Sequence, residues 1–321
     1  MRSLWESDIL EEYDMKINEK DRGIYNALVD QLDRLARHNR QGAFRTRDRY
    51  YEAMKRFCRF LAEEYRMQKL SNVSGKHFVA YVEYMQEHGK SASTIKTDLA
   101  AIRFFHEKMN AKYRLPDNDE LSVELERRRF GGVDRTWSAT EFNRMIGKAV
   151  GEGRDDIACA LYLGRYAGLR IHEVMRLDTA TAERALREDA ITVKGKGGKI
   201  RTVPIEDDRV RIALRRMLNK TERGHKLFVP DDVPTDRAIN GVQLFIIKHR
   251  DGIADPDREA NLTFHGLRHT YAAVKYHTLT ENGTGALEAH FAVSRLLGHE
   301  RADVTDIYLA SAGKKRKGEA E

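Results

Sequence analysis

The chain carries only two cysteines in 321 residues. Cys58 and Cys159 sit in apolar helical patterns as simple buried thiols, so no disulfide framework is implied and a reducing cytoplasm is expected. No apolar run reaches membrane-spanning length, which removes a transmembrane helix. The stretch Met1 to Lys20 holds more acids than bases and lacks the basic-then-apolar order of an export signal. There is no internal repeat. The Gly- and Lys-rich segment Lys194–Lys199 follows no G-x-x-x-x-G-K-[ST] pattern, so it is not a nucleotide-binding P-loop. His172-Glu173 opens like a zinc motif, but H-E-x-x-H needs a second histidine where Arg176 stands. With no Cys/His cluster either, metal hydrolysis is set aside and no cofactor is expected.

Charge and length point elsewhere. Lys and Arg number 57 against 50 Asp and Glu, a net charge of +7, which favours a polyanionic partner, nucleic acid before membrane surface. Hydrophobic content of 41% and charged content of 33% describe a globular protein long enough for two cores.

Residues 22–118 read as a helical domain behind a short extension, 1–21. Tyr25, Leu28, Leu32 and Leu35 follow helical spacing, as do Tyr50, Met54, Phe57, Leu61 and Tyr65. Phe78, Val82 and Met85 make a third stripe, and Ile95, Leu99, Ile102, Phe105 and Met109 a fourth. Each stripe must be buried against a neighbour, and short polar breaks separate them, so a four-helix bundle is expected. Arg45, Arg47, Arg49, Lys55, Arg56 and Arg59 crowd the second helix. They read either as a solvated face with internal ion pairs or as a surface for a nucleic-acid backbone. Ser93, Thr94 and Lys96 open the fourth helix, where free N–H groups and hydroxyls suit phosphate. Pro116 stops the bundle, and the charged, glycine-containing stretch 119–134 reads as a linker.

Residues 135–321 read as a second domain. Ser138-Ala139-Thr140-Glu141 is a capping box ahead of an apolar-periodic run. A helix from about Asp155 to Tyr166 should end at Gly168 in the left-handed cap conformation, with another beginning near Ile171. Ala190–Val193 and Ile200–Ile205 are β-branched runs flanking the Lys194–Lys199 tip, a hairpin pattern. Helices are expected at 207–218, 238–250 and 286–296, with Leu262–Phe264 extended and Thr278–Gly285 a loop. The whole is mainly α with a small β-sheet (α+β).

Chemistry concentrates in the last quarter and its partners upstream. Arg170, Lys196, His265, Arg268, His299 and Tyr308 form a set able to act on one phosphodiester. Arginines grip phosphate oxygens with a planar fork and hold the negative charge that builds during attack without a metal. A lysine on a hairpin tip can protonate a leaving oxygen, a histidine can take a proton, and a tyrosine can hold a covalent intermediate. Lys194 and Lys199 compete with Lys196, whose Gly-Lys-Gly context favours it. Tyr271 and Tyr276 are the next tyrosines in line.

The motifs Gly168-Leu169-Arg170-Ile171-His172-Glu173, Gly195-Lys196-Gly197-Gly198-Lys199 with Arg201 and Val203-Pro204, His265-Gly266-Leu267-Arg268-His269, Leu297-Gly298-His299 and Tyr308 together resemble the tyrosine recombinase, or phage integrase, family. The resemblance implies a helical core-binding domain followed by a catalytic domain. It implies that Arg170 and Arg268 clamp the scissile phosphate, Lys196 acts as general acid and His265 assists proton transfer. His299 would hydrogen-bond the phosphate, Glu173 would orient the first arginine or a nearby histidine, and Tyr308 would form a 3′-phosphotyrosine, without metal or ATP. The implied partners are double-stranded DNA with inverted-repeat half-sites and three further copies of the chain, a tetramer on paired sites, with no membrane. The implied place is the cytoplasm, at the nucleoid when bound. Arg268 and His299 stand further apart than is usual in the family. A type IB topoisomerase-like enzyme and a catalytically inactive DNA-binding relative are the alternatives. Only Met1 to Arg22 precedes the first helix, which leans toward a recombinase without arm-type sites.

Overall fold

The computed structural model describes residues 17–37, 44–126, 133–195 and 198–298. The chain divides into two compact units, Met1–Arg128 and Arg129–Glu321.

In the first unit four helices follow the four apolar stripes: α1 (Glu19–Arg37), α2 (Phe44–Tyr65), α3 (Gly75–Glu87) and α4 (Ala92–His106). α2 lies between α1 and α4, and α3 packs on both α2 and α4. Leu28, Leu32, Phe57, Leu61, Phe78, Val82, Leu99 and Ile102 meet in one core, and each such side chain contributes about 1.5–3 kcal/mol by leaving water. The helix starts are encoded locally. The Ser91 hydroxyl accepts from Thr94 N at 3.2 Å at the head of α4, and Ser74 N donates to His77 Nδ1 at 3.1 Å at the head of α3. A buried carboxylate ties three helices together. Asp98 of α4 takes the fork of Arg56 at 3.2 and 2.8 Å and the hydroxyl of Tyr81 at 3.2 Å.

The second unit is built around α6 (Asp155–Tyr166), which touches α5 (Ala139–Gly151), the short α7 (Ile171–Val174), α9 (Asp208–Leu218) and α11 (Phe264–Glu281). Seven residues of α6 are buried, from Ile157 to Gly164, as expected of a helix covered on most sides. α8 (Thr179–Glu188) lies on the hairpin of β1 (Ala190–Lys194) and β2 (Ile200–Pro204), which pair antiparallel with Ala190 opposite Pro204 and Lys194 opposite Ile200. α10 (Thr235–Arg250) packs on α5 and α11, and α12 (Ala286–Leu297) packs on α11 and β2. Both cysteines are free and buried. No helix among the described residues is long and apolar enough to cross a membrane.

Three local departures have physical causes. α8 has a thin stripe of alanines, Ala182 and Ala185, which gives little periodic signal, although Asp178 caps it through Thr181 N at 2.7 Å. Leu262–Phe264 is not wholly extended, because Thr263 accepts from Gly266 N at 3.2 Å and starts α11 at Phe264. The loop is shorter than the expected 278–285: α11 continues as far as Glu281, and residues 282–285 connect it to α12. The hydroxyls of Thr278 and Thr280 bond back to the carbonyls of Val274 and Tyr276 at 3.0 and 3.1 Å, which satisfies both hydroxyls within the helix.

Candidate active site

Arg170 follows the left-handed turn at Gly168, whose φ is +59°. A Cβ there would lie 2.4 Å from Tyr271 Cδ1, so conformation and space both demand glycine. The turn brings Arg170 to the head of α7 with its side chain 23% exposed. Its backbone N–H donates to Glu173 Oε2 at 2.7 Å and its Nη1 to Glu173 Oε1 at 3.1 Å.

Glu173 is fully buried and is the hub of the cluster. Arg201 of β2 donates to it through Nη1 at 2.5 Å and Nη2 at 2.8 Å. Burial pushes the Glu173 carboxyl up. The fork of Arg201, the Arg170 N–H and the charge of Arg268 outweigh that and hold it at about 2, so it is ionised at neutral pH.

Arg268 is buried on the first turns of α11. Its Nη1 donates to the Gly168 carbonyl at 2.5 Å and its Nη2 to the Leu297 carbonyl. One guanidinium therefore ties the Gly-Leu-Arg turn to the end of α12. Gly298 caps α12 in the left-handed conformation, with φ +67°. His265 stands on the same turn of α11, exposed, with its ring 5.2 Å from that of buried His269. Surrounding protein and the charges of Arg268, Arg170 and Arg135 push His265 down to about 4. Because the ring is exposed, the direction rests chiefly on the three arginines, whose field solvent weakens without reversing. His269 is pushed further, to about 3, by burial first and then by its charged neighbours. Both rings are neutral at pH 7 and able to accept a proton.

The hairpin meets this cluster at its base. A Cβ on Gly195 would lie 3.6 Å from Glu173 Oε1 and 3.8 Å from Arg170 Nη1, so the tip starts beside the first arginine. Gly195 N donates to Lys199 O at 2.6 Å and closes the turn. Lys194 and Lys199 are both exposed. Lys196, His299 and Tyr308 lie outside the described residues. Arg170, Glu173, His265 and Arg268 come together, beside the base of the hairpin that bears Lys196 and the end of the helix that leads into His299. Tyr271 is buried against Gly168 with its hydroxyl pushed up to about 12, by burial first and then by Glu206, and Tyr276 is half-buried against the core. Among the described residues no cluster of three or more His, Cys, Asp or Glu is placed to hold a metal ion.

In the first unit the basic residues divide by what they already hold. Arg56 is spent on buried Asp98, Arg59 on Glu63 at 2.8 Å, and Lys55 approaches Glu52 at 3.6 Å. Arg49 is exposed and reaches Thr97 Oγ1 at 3.2 Å, which places it beside the first turns of α4 and exposed Ser93. Lys96 donates to the Glu126 carbonyl at 2.8 Å, and Thr94 is half-buried behind the Ser91 cap. Arg47 is half-buried, and the side chain of Arg45 lies outside the described set. The residue that sequence reasoning quoted without a task is Arg201. Its signal was faint, an arginine on a strand a few positions past a lysine-rich tip.

Comparison with known proteins adds family and fold. The model of the phage integrase family matches residues 141–315, and that of the phage integrase N-terminal SAM-like domain matches residues 28–113. The tyrosine recombinase XerD of Halalkalibacterium halodurans is 24% identical over 271 residues, 81% of this chain and 84% of that protein. A lambda integrase dimer bound to a COC′ core site superposes with a TM-score of 0.62 at 17% identity, over 90% of this chain and 97% of the other. A lambda integrase tetramer bound to a Holliday junction gives the same score and identity, over 89% and 78%.

Proposed function

Since this chain belongs to the phage integrase family of tyrosine recombinases, we propose that it is a site-specific DNA recombinase that cuts and rejoins strands through a 3′-phosphotyrosine. The observation that carries the reading is the convergence of Arg170, Arg268 and neutral His265 beside the hairpin base that leads to Lys196.

In this reading the Tyr308 hydroxyl attacks the scissile phosphorus. The bond to the 5′ oxygen breaks and a phosphotyrosine ester forms. His265 takes the tyrosine proton and Lys196 gives one to the leaving 5′ oxygen. Arg170, Arg268 and His299 hold the charge that builds on the non-bridging oxygens. Glu173 orients Arg170. The 5′ hydroxyl of a partner strand then attacks the ester and frees the tyrosine. One ester replaces another at each step, so ATP has no part, and the residues named supply the proton transfers and charge stabilisation without a metal.

Both units engage the duplex in this account. Residues 22–118 act as a core-binding domain and 135–321 as the catalytic domain, with 119–134 between them. Arg45, Arg47, Arg49, Ser93, Thr94 and Lys96 are the candidates for phosphate contacts in the first unit, ahead of Lys55, Arg56 and Arg59, which are held by carboxylates. Lys194 and Lys199 flank the hairpin tip in the second. Exchange between two duplexes needs four tyrosines, hence a tetramer on paired inverted-repeat half-sites. The lambda integrase tetramer on its junction supports that assembly. The chain would work in the cytoplasm, at the nucleoid when bound.

The test is a duplex nicked beside the cleavage position, chosen by incubating the protein with a pool of randomised half-sites. Cleavage releases the short fragment and strands the covalent adduct. A denaturant-resistant protein–DNA complex is expected, and two such sites on one plasmid should recombine. Binding with no adduct would mean a catalytically silent relative, and relaxation with no exchange a topoisomerase.

A further inference from the structure

We infer that Arg201 is a positioning residue that frees Arg170 for phosphate and fixes the exit of α12 toward His299. This rests on the recombinase reading. Three bonds carry it. The Arg201 Nη atoms engage both oxygens of Glu173 at 2.5 and 2.8 Å, and Nε donates to the Leu296 carbonyl at 2.9 Å. Arg268 takes the very next carbonyl, that of Leu297. The last carbonyls of a helix have no partner within it, and cations there are favoured. Two arginines thus hold the final turn of α12 just before the chain leaves through Gly298. The fit is close, since a Cβ on Gly298 would lie 2.9 Å from Arg201 Cδ.

The charge balance gives Arg201 its second task. Glu173 is buried and ionised, and a buried carboxylate needs a full counterion. Arg201, itself 9% exposed at its side chain, fills that role with both Nη atoms. Arg170 gives Glu173 one longer side-chain bond, at 3.1 Å, through Nη1. Without Arg201, Glu173 would keep only the charge of Arg268 and its bonds to Arg170, and the carboxylate would draw the Arg170 guanidinium inward, away from substrate. Because Arg201 sits on β2, the same side chain also couples the strand after the lysine tip to the Glu173 hub.

Arg201→Gln, Arg201→Lys and the pair Glu173→Gln with Arg201→Gln decide the matter on the nicked duplex selected by the wild-type protein. Arg201→Gln should slow adduct formation about 30-fold or more while the dissociation constant moves less than about 3-fold. Arg201→Lys keeps the charge but not the fork and should regain part of the rate. Removing the Glu173 charge as well should make the double variant faster than Arg201→Gln alone, an outcome that loss of packing does not produce. A rate for Arg201→Gln within 3-fold of wild type, or a double variant slower than the single, would overturn the inference. Should Arg201→Gln fail to fold, a wild-type rate for Arg201→Lys would overturn it equally. Hydrogen exchange on the DNA-free protein supplies an arm independent of activity. In Arg201→Gln or Arg201→Lys the amides of 294–298 and of the hairpin should exchange faster together, with α9 unchanged. Unchanged exchange in both would sink the coupling even if no duplex were ever cut. No adduct from wild type alongside coupled exchange would instead condemn the recombinase reading.

Discussion

Gly168→Ala should be among the most damaging single-atom additions to the second unit. The residue adopts φ +59°, a conformation that costs a residue with a Cβ roughly 1–2 kcal/mol. The added carbon would also sit 2.4 Å from Tyr271 Cδ1 and 2.9 Å from Cε1, against a ring that is itself buried. Overpacking of this kind costs about 1–3 kcal/mol. The two effects together predict a loss of roughly 2–5 kcal/mol. Trp137, wholly buried in the same unit, reports the transition by fluorescence in urea once Trp5 is replaced by Phe. Tyr271→Ala in the same background removes the clash and leaves the backbone cost, so the double variant should be more stable than the sum of the two singles predicts. A Gly168→Ala protein within about 0.5 kcal/mol of its parent would contradict this expected loss. Strict additivity with Tyr271→Ala would refute the steric half of it.

Lys196→Ala should slow cleavage of an ordinary phosphodiester strongly, and a 5′-bridging phosphorothiolate, whose sulfur leaves without a proton, should restore most of the rate. Equal defects on both substrates would move the acid to Lys194 or Lys199. Asp98→Ala leaves Arg56 partly buried without its carboxylate and should cost the first unit about 3–5 kcal/mol in urea denaturation. Arg49→Ala should leave stability within about 0.5 kcal/mol and lower the slope of log affinity against log salt by about one. The histidine pair makes stability depend on pH. The folded-state values of His265 and His269, about 4 and about 3, lie below the ordinary 6.5, so the unfolded chain binds protons first. Stability should therefore fall as pH drops below about 6.5, with Glu173 adding to the loss between its ordinary 4.5 and about 2. His269→Gln should flatten the pH 7 to pH 5 slope of the Trp137 transition, and an unchanged slope would contradict that assignment.

How much of this was legible in the chain depends on the physics of each element. The four stripes of the first unit became α1 to α4 because apolar spacing of three and four allows few other burials. The hairpin was readable because β-branched runs flank a glycine-rich tip, and the Ser138 cap and the Gly168 turn because both are local backbone rules. α8 was silent because its inner face is alanine. The extension of α11 through Thr278 was hidden because threonine's preference argues against a helix until its hydroxyl finds the carbonyl four residues back. The convergence of Arg170, His265 and Arg268 follows from motif order under the family resemblance. What spacing could not give is the internal wiring. Arg56 belongs to Asp98, and Arg201 belongs to Glu173, because such pairings are set by three-dimensional closeness across 28 to 42 residues of chain. A run of basic residues on one helix looks the same whether its members face DNA or a buried acid.

On the recombinase reading, Tyr308 becomes covalently joined to DNA. The direct measurement is digestion of the trapped adduct, followed by mass spectrometry of the peptide that carries the nucleotide. The modified residue should be Tyr308, linked to a 3′ phosphate, with Tyr308→Phe binding the same duplex normally and yielding no adduct. An adduct on any other residue, or one that persists in Tyr308→Phe, would contradict it.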